Sequence, residues 1–463
     1  MKIVYVVHEF PPDSVGGTGV ATFQAAKVML TGGHKVWVLA PQQWDDDNFR
    51  SVGFFDEKVD GLSVRRLVFN PELAPNPILY EYYNPIFYTY AKHFLREVCP
   101  DIIHICHLLH LSSSIIDAAK ELRIPVVLTL RDFWFFCPKW IRLKPDRNLC
   151  GEDFSWKDCI YCLKEENNLY DRIIRAFDEI LAKFCVQEVI SNNEFKFNLL
   201  NNNQLTSFLL AAACRLPFLK SQLEKVDQII CRSSFLKKVY LRKGYFHNGF
   251  TVVSSGTISP PKLPSRKGRI SNITFGYFGG GREHKGAHVL LQAFRKIKST
   301  NVNLKLYGIF PNTEYVKELR RIAKGDERID FMGTFRRTEL TNVLAGIDIL
   351  VMPSICPEAS GLSISEAFVN KVPVIATDIG GIPEIVHDGR NGLLLERGDI
   401  LDLKQKMERV INEPGLIQKF RENIPRVRSM NEECDELLGI YKKLLRQKQK
   451  RSSEAKLRVL TPK

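Results

Sequence analysis

The sequence contains no apolar run that approaches the ~20 consecutive residues needed to cross a bilayer, so a helical membrane span is not expected. It carries no tandem repeat, which argues against a solenoid or a propeller. No aromatic-and-basic platform or groove-reading motif accompanies its positive charge, so nucleic acid is not an expected partner. The opening stretch, Met1-Lys-Ile-Val-Tyr-Val-Val-His8, is too short in apolar residues for a secretory leader and reads as a first strand. A cytoplasmic protein is expected, with a peripheral place on the inner face of the membrane as an extension of that reading.

What is present is ordinary in bulk. Hydrophobic residues make up 44% and charged residues 25%, values of a globular chain, and 463 residues exceed one core, so two domains are the default. The net charge of +14 is uneven: Tyr441 to Lys463 holds nine Lys or Arg against one Glu, a local excess of +8. Such a tail is either a solvated terminus or a site of attraction to anionic lipid headgroups.

Short apolar runs alternate with helical patterns, the signature of parallel sheets with crossover helices. Ile3 to Val7, Lys35 to Ala40, Ile102 to Ile105, Val126 to Leu130, Ile229 to Cys231 and Thr251 to Val253 read as strands of one domain. Ile273 to Phe278, Asn303 to Tyr307, Ile329 to Phe331, Ile347 to Met352, Val374 to Thr377 and Leu393 to Leu395 read as strands of a second. The expected division is 1–258, a Pro- and charge-rich linker at 259–268, a second domain at 269–430, a helix at 431–446 packing back on the first domain, and the basic tail 447–463. Residues 165–223 fit neither sheet and read as a helical insertion, either packed on the first domain or presenting an amphipathic surface to a membrane.

Eleven cysteines in a cytosolic chain are expected to be mostly reduced. Cys99, Cys106, Cys185, Cys214, Cys231, Cys356 and Cys434 are scattered and read as core or incidental. Cys137, Cys150, Cys159 and Cys162 cluster and end in Cys-x-x-Cys. That set suits a tetrahedral structural zinc, with packed free thiols or an iron–sulfur cluster as alternatives.

The densest chemical signal is Pro353-Ser-Ile-Cys-Pro-Glu358-Ala-Ser-Gly361-Leu362-Ser-Ile-Ser-Glu366, which follows a buried apolar run. Ser360 and Gly361 offer a cap and a flexible backbone, and Leu362 to Val369 reads as a helix whose N-terminal amides and dipole suit a phosphate. Glu358 falls before that helix and Glu366 on it. One carboxylate at each end suits a nucleotide sugar, with hydroxyl-rich rings on either side of a diphosphate. Two further glycine turns follow first strands: His8-Glu-Phe-Pro-Pro-Asp-Ser-Val-Gly16-Gly17 in the first domain, and Gly279-Gly-Gly-Arg282-Glu-His-Lys285-Gly286 in the second. Lys285 is suited to neutralise a diphosphate leaving group.

Taken with Gly380-Gly-Ile-Pro-Glu384 and Asp388-Gly-Arg-Asn-Gly392, these residues resemble the retaining glycosyltransferases of family 4 from Ile3 to about Gly398. The resemblance implies an α/β GT-B fold, two doubly wound Rossmann-like domains facing a central cleft, with the donor held mostly by the second. It implies transfer of a sugar from a nucleoside-diphosphate donor to a glycan or lipid-linked acceptor hydroxyl, without a catalytic cofactor. Donor-binding residues would be Gly17, Arg282, Lys285, Gly361, Leu362 and Glu366, and catalytic residues Glu358, Asp132 and Arg131. The chain departs from the family twice. Relatives usually carry Arg where it has Gly280, for which Arg282 is a candidate substitute, and many carry His where it has Arg131. His104 and His107 are further candidates for the cleft. A similar cysteine-bearing loop occurs in a subset of the family. A non-catalytic binding protein on the same scaffold and a synthase joining small sugars or sugar phosphates stand as alternatives.

Overall fold

The computed structural model describes residues 1–12, 16–42, 53–70, 73–163, 204–245, 249–260 and 272–460. The first set of elements is β1 (Lys2–Val6), α1 (Gly17–Thr31), β2 (Lys35–Pro41), β3 (Gly53–Val59), β4 (Leu62–Val68), α2 (Pro77–Tyr82), α3 (Pro85–Val98), β5 (Ile102–Ile105), α4 (Ser114–Glu121), β6 (Val126–Leu130), α5 (Trp156–Leu163), α6 (Gln204–Lys225), β7 (Gln228–Cys231), α7 (Ser234–Arg242) and β8 (Phe250–Val252). The second is β9 (Ile273–Phe278), α8 (Ala287–Arg295), β10 (Val302–Tyr307), α9 (Glu314–Ala323), β11 (Ile329–Gly333), α10 (Leu340–Ala345), β12 (Ile349–Met352), α11 (Leu362–Val369), β13 (Val374–Thr377), β14 (Gly392–Leu395), α12 (Ile400–Asn412), α13 (Leu416–Glu422) and α14 (Met430–Leu460).

Two sheets result, in the orders β3-β4-β2-β1-β5-β6-β7-β8 and β11-β10-β9-β12-β13-β14. Every pairing is parallel except β3 with β4. The central strands are apolar on both faces, as a sheet covered by helices requires, and the chain order reverses beside β1 and beside β9. Ligands of such sheets lie beyond the strand carboxyl ends, at those reversals. The β1 and β9 ends lead into the two glycine turns, and the β12 end leads into the segment bearing Glu358.

The expected strands all form. The hairpin β3–β4 was not among them, because Arg65 and Arg66 interrupt the apolar pattern of β4. Both are buried. Asp56 and Glu97 neutralise Arg65 and Glu57 neutralises Arg66, at 2.6 to 2.7 Å.

Helix α14 returns to the first sheet. Met430, Cys434, Leu437, Tyr441 and Leu444 are buried in one cluster with Ile3, Tyr5, Ala26 and Val38. Around this buried face Lys442, Lys443, Arg446, Lys448 and Lys450 are exposed. Of the expected insertion, 165–203 lies outside the described residues. The remainder belongs to α6, whose Leu209, Ala211, Phe218, Leu219 and Leu223 are buried. Tyr82 donates to the Ala211 carbonyl at 2.9 Å, so this part packs on the first domain. Most of the expected linker also lies outside the described residues. Among those described, no helix is long and apolar enough to cross a membrane.

Candidate functional site

The turn after β9 is built by close approach. Glu283–Lys285 forms a single 3-10 turn ending on Gly286, where φ is +74°. A Cβ at Gly286 would lie 1.9 Å from the Pro353 carbonyl oxygen, so only glycine lets this turn press on the segment leaving β12. Ile355 donates to the His284 carbonyl at 2.9 Å and locks the two loops together. Gly280 is constrained likewise: its φ is +58° and a Cβ would meet the Ile309 carbonyl oxygen at 2.5 Å. No arginine fits there in this backbone, which gives the departure from the family pattern a steric cause. Arg282, two residues on, is exposed, and its charge is felt by His8 of the first domain.

The contact of the two loops brings Lys285 Nζ to 2.7 Å from Glu358 Oε1, and the Ser354 hydroxyl donates to the same oxygen at 2.7 Å. The side chains keep only 25% and 14% of their exposure. Burial alone pushes the Glu358 carboxyl up. The Lys285 charge and the two hydrogen bonds outweigh it and hold the carboxyl below its ordinary value. Burial would likewise lower the Lys285 ammonium, and Glu358 more than offsets it. His284 is partly buried, and desolvation first, then the Lys285 charge, pushes it down to about 4.

Helix α11 starts behind Glu358, with Gly361 at its N-cap. The Leu362 amide donates to the Ser360 carbonyl at 3.0 Å. One turn along, Glu366 is buried at 4% exposure and ion-paired with Arg337, a residue of the turn after β11. The α11 N-terminus faces the first domain: a Cβ on Gly17 would lie 3.3 Å from Leu362 Cδ2. Gly17 thus meets Leu362, four residues along the chain from Glu358 and its partner Lys285.

On the first-domain side Asp132 accepts from His107 Nε2 at 2.7 Å and from the Trp134 amide at 2.9 Å. The Leu109 amide donates to His107 Nδ1 at 3.0 Å, so the proton of the neutral ring sits on Nε2 and points at Asp132. The His8 ring lies 4.3 Å from that of His107. Burial first, then the nearby His107, His110, Arg131 and Arg282, holds His8 well below its ordinary value. His104 is a satisfied core residue between Thr129 and Tyr441. The Arg131 guanidinium belongs to a buried charge network. Burial first, then Arg232, lowers it to about 10, with Cys106 and Glu433 opposing.

The four clustered cysteines are all free, and they are electrostatic neighbours. Burial pushes Cys137 up to about 11 and Cys159 to about 12. Among the described residues no group of three or more His, Cys, Asp or Glu side chains is arranged to hold a metal ion. Of the four thiols, that of Cys162 donates to the Leu143 carbonyl at 3.8 Å. Cys106, Cys214, Cys231, Cys356 and Cys434 are buried, Cys99 is exposed, and Cys185 lies outside the described residues.

Two contacts were not anticipated. Arg337 on Glu366 is one. The other is Glu384, whose carboxylate accepts from the Ser234 and Phe235 amides at 2.9 and 2.6 Å and so caps α7 of the opposite domain. The acidic residue of Gly380-Gly-Ile-Pro-Glu384 was visible as a motif, but nothing in its spacing names its partner.

Family models agree with this geometry. The model for glycosyl transferases group 1 matches residues 266–427, and that for glycosyltransferase family 4 matches residues 15–182. The chain belongs to the family 4, group 1 glycosyltransferases. An uncharacterized glycosyltransferase of Methanocaldococcus jannaschii is 31% identical over 208 residues, covering 44% of this chain and 56% of that protein. The capsular polysaccharide biosynthesis glycosyltransferase CapM of Staphylococcus aureus is 27% identical over 164 residues, 33% of this chain and 40% of that protein. The chain therefore spans about half or less of the curated relatives it matches. The crystal structure of Anabaena HepE with UDP and glucose matches with a TM-score of 0.61 and 17% identity, covering 95% of this chain and 99% of that one. At that identity the likeness is one of fold. The fold of this glycosyltransferase is GT-B, with two parallel-dominated sheets.

Proposed function

We propose that the chain performs metal-independent, retaining transfer of a sugar from a nucleoside diphosphate to an acceptor hydroxyl, in the synthesis of a polysaccharide, glycolipid or other cell-surface glycan. The observation that carries this is the largely buried Lys285–Glu358 pair just ahead of the N-terminus of α11, whose Leu362 lies against Gly17 of the first domain. Glu366 holds the ribose hydroxyls. The amides of Gly361 and Leu362 meet the diphosphate, the latter exchanging its Ser360 contact for it. Lys285 and Arg282 supply the cations that the departing diphosphate requires. Glu358 holds donor-sugar hydroxyls and stabilises positive charge at the anomeric carbon. The acceptor oxygen bonds to that carbon as the bond to the diphosphate breaks on the same face, and the acceptor proton passes to a donor phosphate oxygen. Asp132, held by His107, orients the acceptor side. Arg131 acts from beneath as a buried cation. Closure of the cleft excludes water that would hydrolyse the donor.

Two accessory readings belong here. The four thiols are the candidate ligand set of a structural zinc: their gathering and the terminal Cys-x-x-Cys support it, their described arrangement is not that of a formed metal centre, and metal analysis of the purified protein tests it. The exposed lysines and arginine at the end of α14 meet an anionic membrane surface, which vesicle sedimentation tests.

Thermal-shift measurements with a panel of nucleotide sugars test the main reading, because a ligand of the folded state raises its melting temperature. One donor is expected to give a clear shift that Glu366→Ala abolishes, while Glu358→Ala keeps the shift and lowers turnover. An undiminished shift in Glu366→Ala contradicts the ribose assignment. No shift with any donor contradicts the function.

A further inference from the structure

The cysteine-bearing loop of the first domain does not stay on that domain. Residues Arg142 to Cys150 form a finger, closed by the Leu143–Leu149 bridge and by the Cys150 amide on the Arg142 carbonyl at 2.9 Å. The Arg142 guanidinium braces its base on the Cys150 carbonyl at 2.9 Å. Leu143 is 5% exposed and lies in the core cluster of the second domain with Tyr277, Val289 and Ile355. At the tip, Arg147 Nε donates to Glu283 Oε1 at 2.8 Å, and Arg147 also reaches Glu318 at 3.4 Å. Arg397 of the second domain donates both to the Arg147 carbonyl and, at 2.7 Å, to the Ile355 carbonyl.

Glu283 is the residue that makes this arrangement informative. It stands between Arg282 and Lys285 in the turn assigned to the donor diphosphate, where an unpaired carboxylate would repel phosphate and compete for both cations. The side chain that neutralises it comes from the other domain. We infer that Arg147 is a positioning residue for the donor: it masks Glu283, so that this carboxylate neither competes with the diphosphate for Arg282 nor adds to the one Lys285 already pairs with, Glu358, and it makes donor affinity depend on the finger of the acceptor-side domain. This rests on the donor-binding reading of the Gly279–Gly286 turn. Arg147 and Glu283 both keep about two fifths of their exposure, so solvent screens the pair and the effect is a moderate one.

The experiment is titration calorimetry of the full chain with UDP, GDP and ADP, on the wild type, Arg147→Ala, Arg147→Lys, Glu283→Gln and the double variant Arg147→Ala/Glu283→Gln. Circular dichroism and thermal midpoints establish that each is folded. Arg147→Ala is expected to weaken the preferred nucleotide about threefold to tenfold. Arg147→Lys recovers part of the loss, since it keeps the charge without the fork that spans Glu283 and Glu318. The double variant returns to within about twofold of wild type, because the carboxylate that needed masking is gone. A purely structural role predicts the opposite, a double variant no better than Arg147→Ala, and that result overturns the inference. So does an Arg147→Ala affinity within about twofold of wild type while the wild type binds. Should Arg147→Ala not fold, Glu283→Gln decides: it is expected to bind at least as tightly as wild type, and weaker binding refutes the masking. A wild type that binds none of the three nucleotides removes the donor reading itself, a distinguishable failure that takes this inference with it.

Discussion

Replacing Lys285 with alanine tests the electrostatics of the cleft without any ligand. In the native protein Glu358 is ionised because Lys285 stands 2.7 Å away and Ser354 donates to the same oxygen. Removing the ammonium leaves a carboxylate at 14% exposure with the Ser354 hydroxyl as its remaining described partner. Breaking a fully buried pair in this way costs about 3–5 kcal/mol. Lys285 keeps a quarter of its exposure, so water repays part of the loss and about 2–3 kcal/mol is expected. The pH dependence carries a sign. With Lys285 gone, burial dominates and the folded-state pKa of Glu358 rises above its unfolded value near 4.5. The group then opposes folding as the pH rises above 4.5, by about 1.4 kcal/mol for each tenfold gain in the proton affinity of the folded state. The deficit of Lys285→Ala against wild type should therefore be larger at pH 8 than at pH 5. Adding Glu358→Gln removes the orphaned charge and should recover more than half of the deficit at pH 8. The assay is urea unfolding followed by tryptophan fluorescence at the two pH values. If Lys285→Ala and the double variant have equal stability at pH 8, the pair is not what holds Glu358 ionised, and the reasoning fails.

Two further outcomes follow from the same physics. His110 and His284 are partly buried and desolvation pushes them down to about 4, and His8 and His104 are also held well below the unfolded value of 6.5. The unfolded chain thus binds more protons between about 4 and 6.5, and stability must fall as the pH falls through that window; a flat stability profile there, measured by urea midpoints, would contradict these burials. Glu384→Ala removes a carboxylate that caps two amides at the start of α7, and should lower stability by about 1 kcal/mol, with Glu384→Gln losing less; an unchanged thermal midpoint in the alanine variant refutes the capping role.

The sequence was most legible where information is local. Apolar runs such as Val126 to Leu130 and Val374 to Thr377 became strands because a strand covered on both faces needs an unbroken run. The glycine turns were legible because a positive φ, as at Gly286, is a demand of the turn itself, whereas the close approach of Gly286 to Pro353 was not. The hairpin β3–β4 was illegible because its arginines are solvable as core residues only once Asp56, Glu57 and Glu97 are known to face them. The site divides in the same way. Glu358, Glu366, Lys285 and Asp132 could be singled out, each within its own motif. Their partners could not: Lys285 and Glu358 are 73 residues apart, and Arg337 and Glu366 are 29 apart. Leu143 looked like loop and is core of the opposite domain, a fact that no periodicity within the loop encodes.

The substitution at Arg131 shows how such long-range pairing changes the chemistry of a position. Family resemblance places a histidine there, immediately before the aspartate. An arginine at that point brings a permanent charge to the floor of the cleft, where it must be neutralised or stay hydrated. The opposing charge comes from Glu433 of α14, which pairs with Arg232 at 2.6 Å. The Glu433 carboxylate also accepts from the Gly256 amide at 2.6 Å, so it is fixed where the chain leaves the first sheet. An imidazole is nevertheless present beside Asp132, supplied by His107 just beyond β5 and tilted against the His8 ring at 4.3 Å. The imidazole beside Asp132 thus comes from a different strand end, and the Arg131 charge lies in a network that includes Glu433 because α14 returns to the first domain.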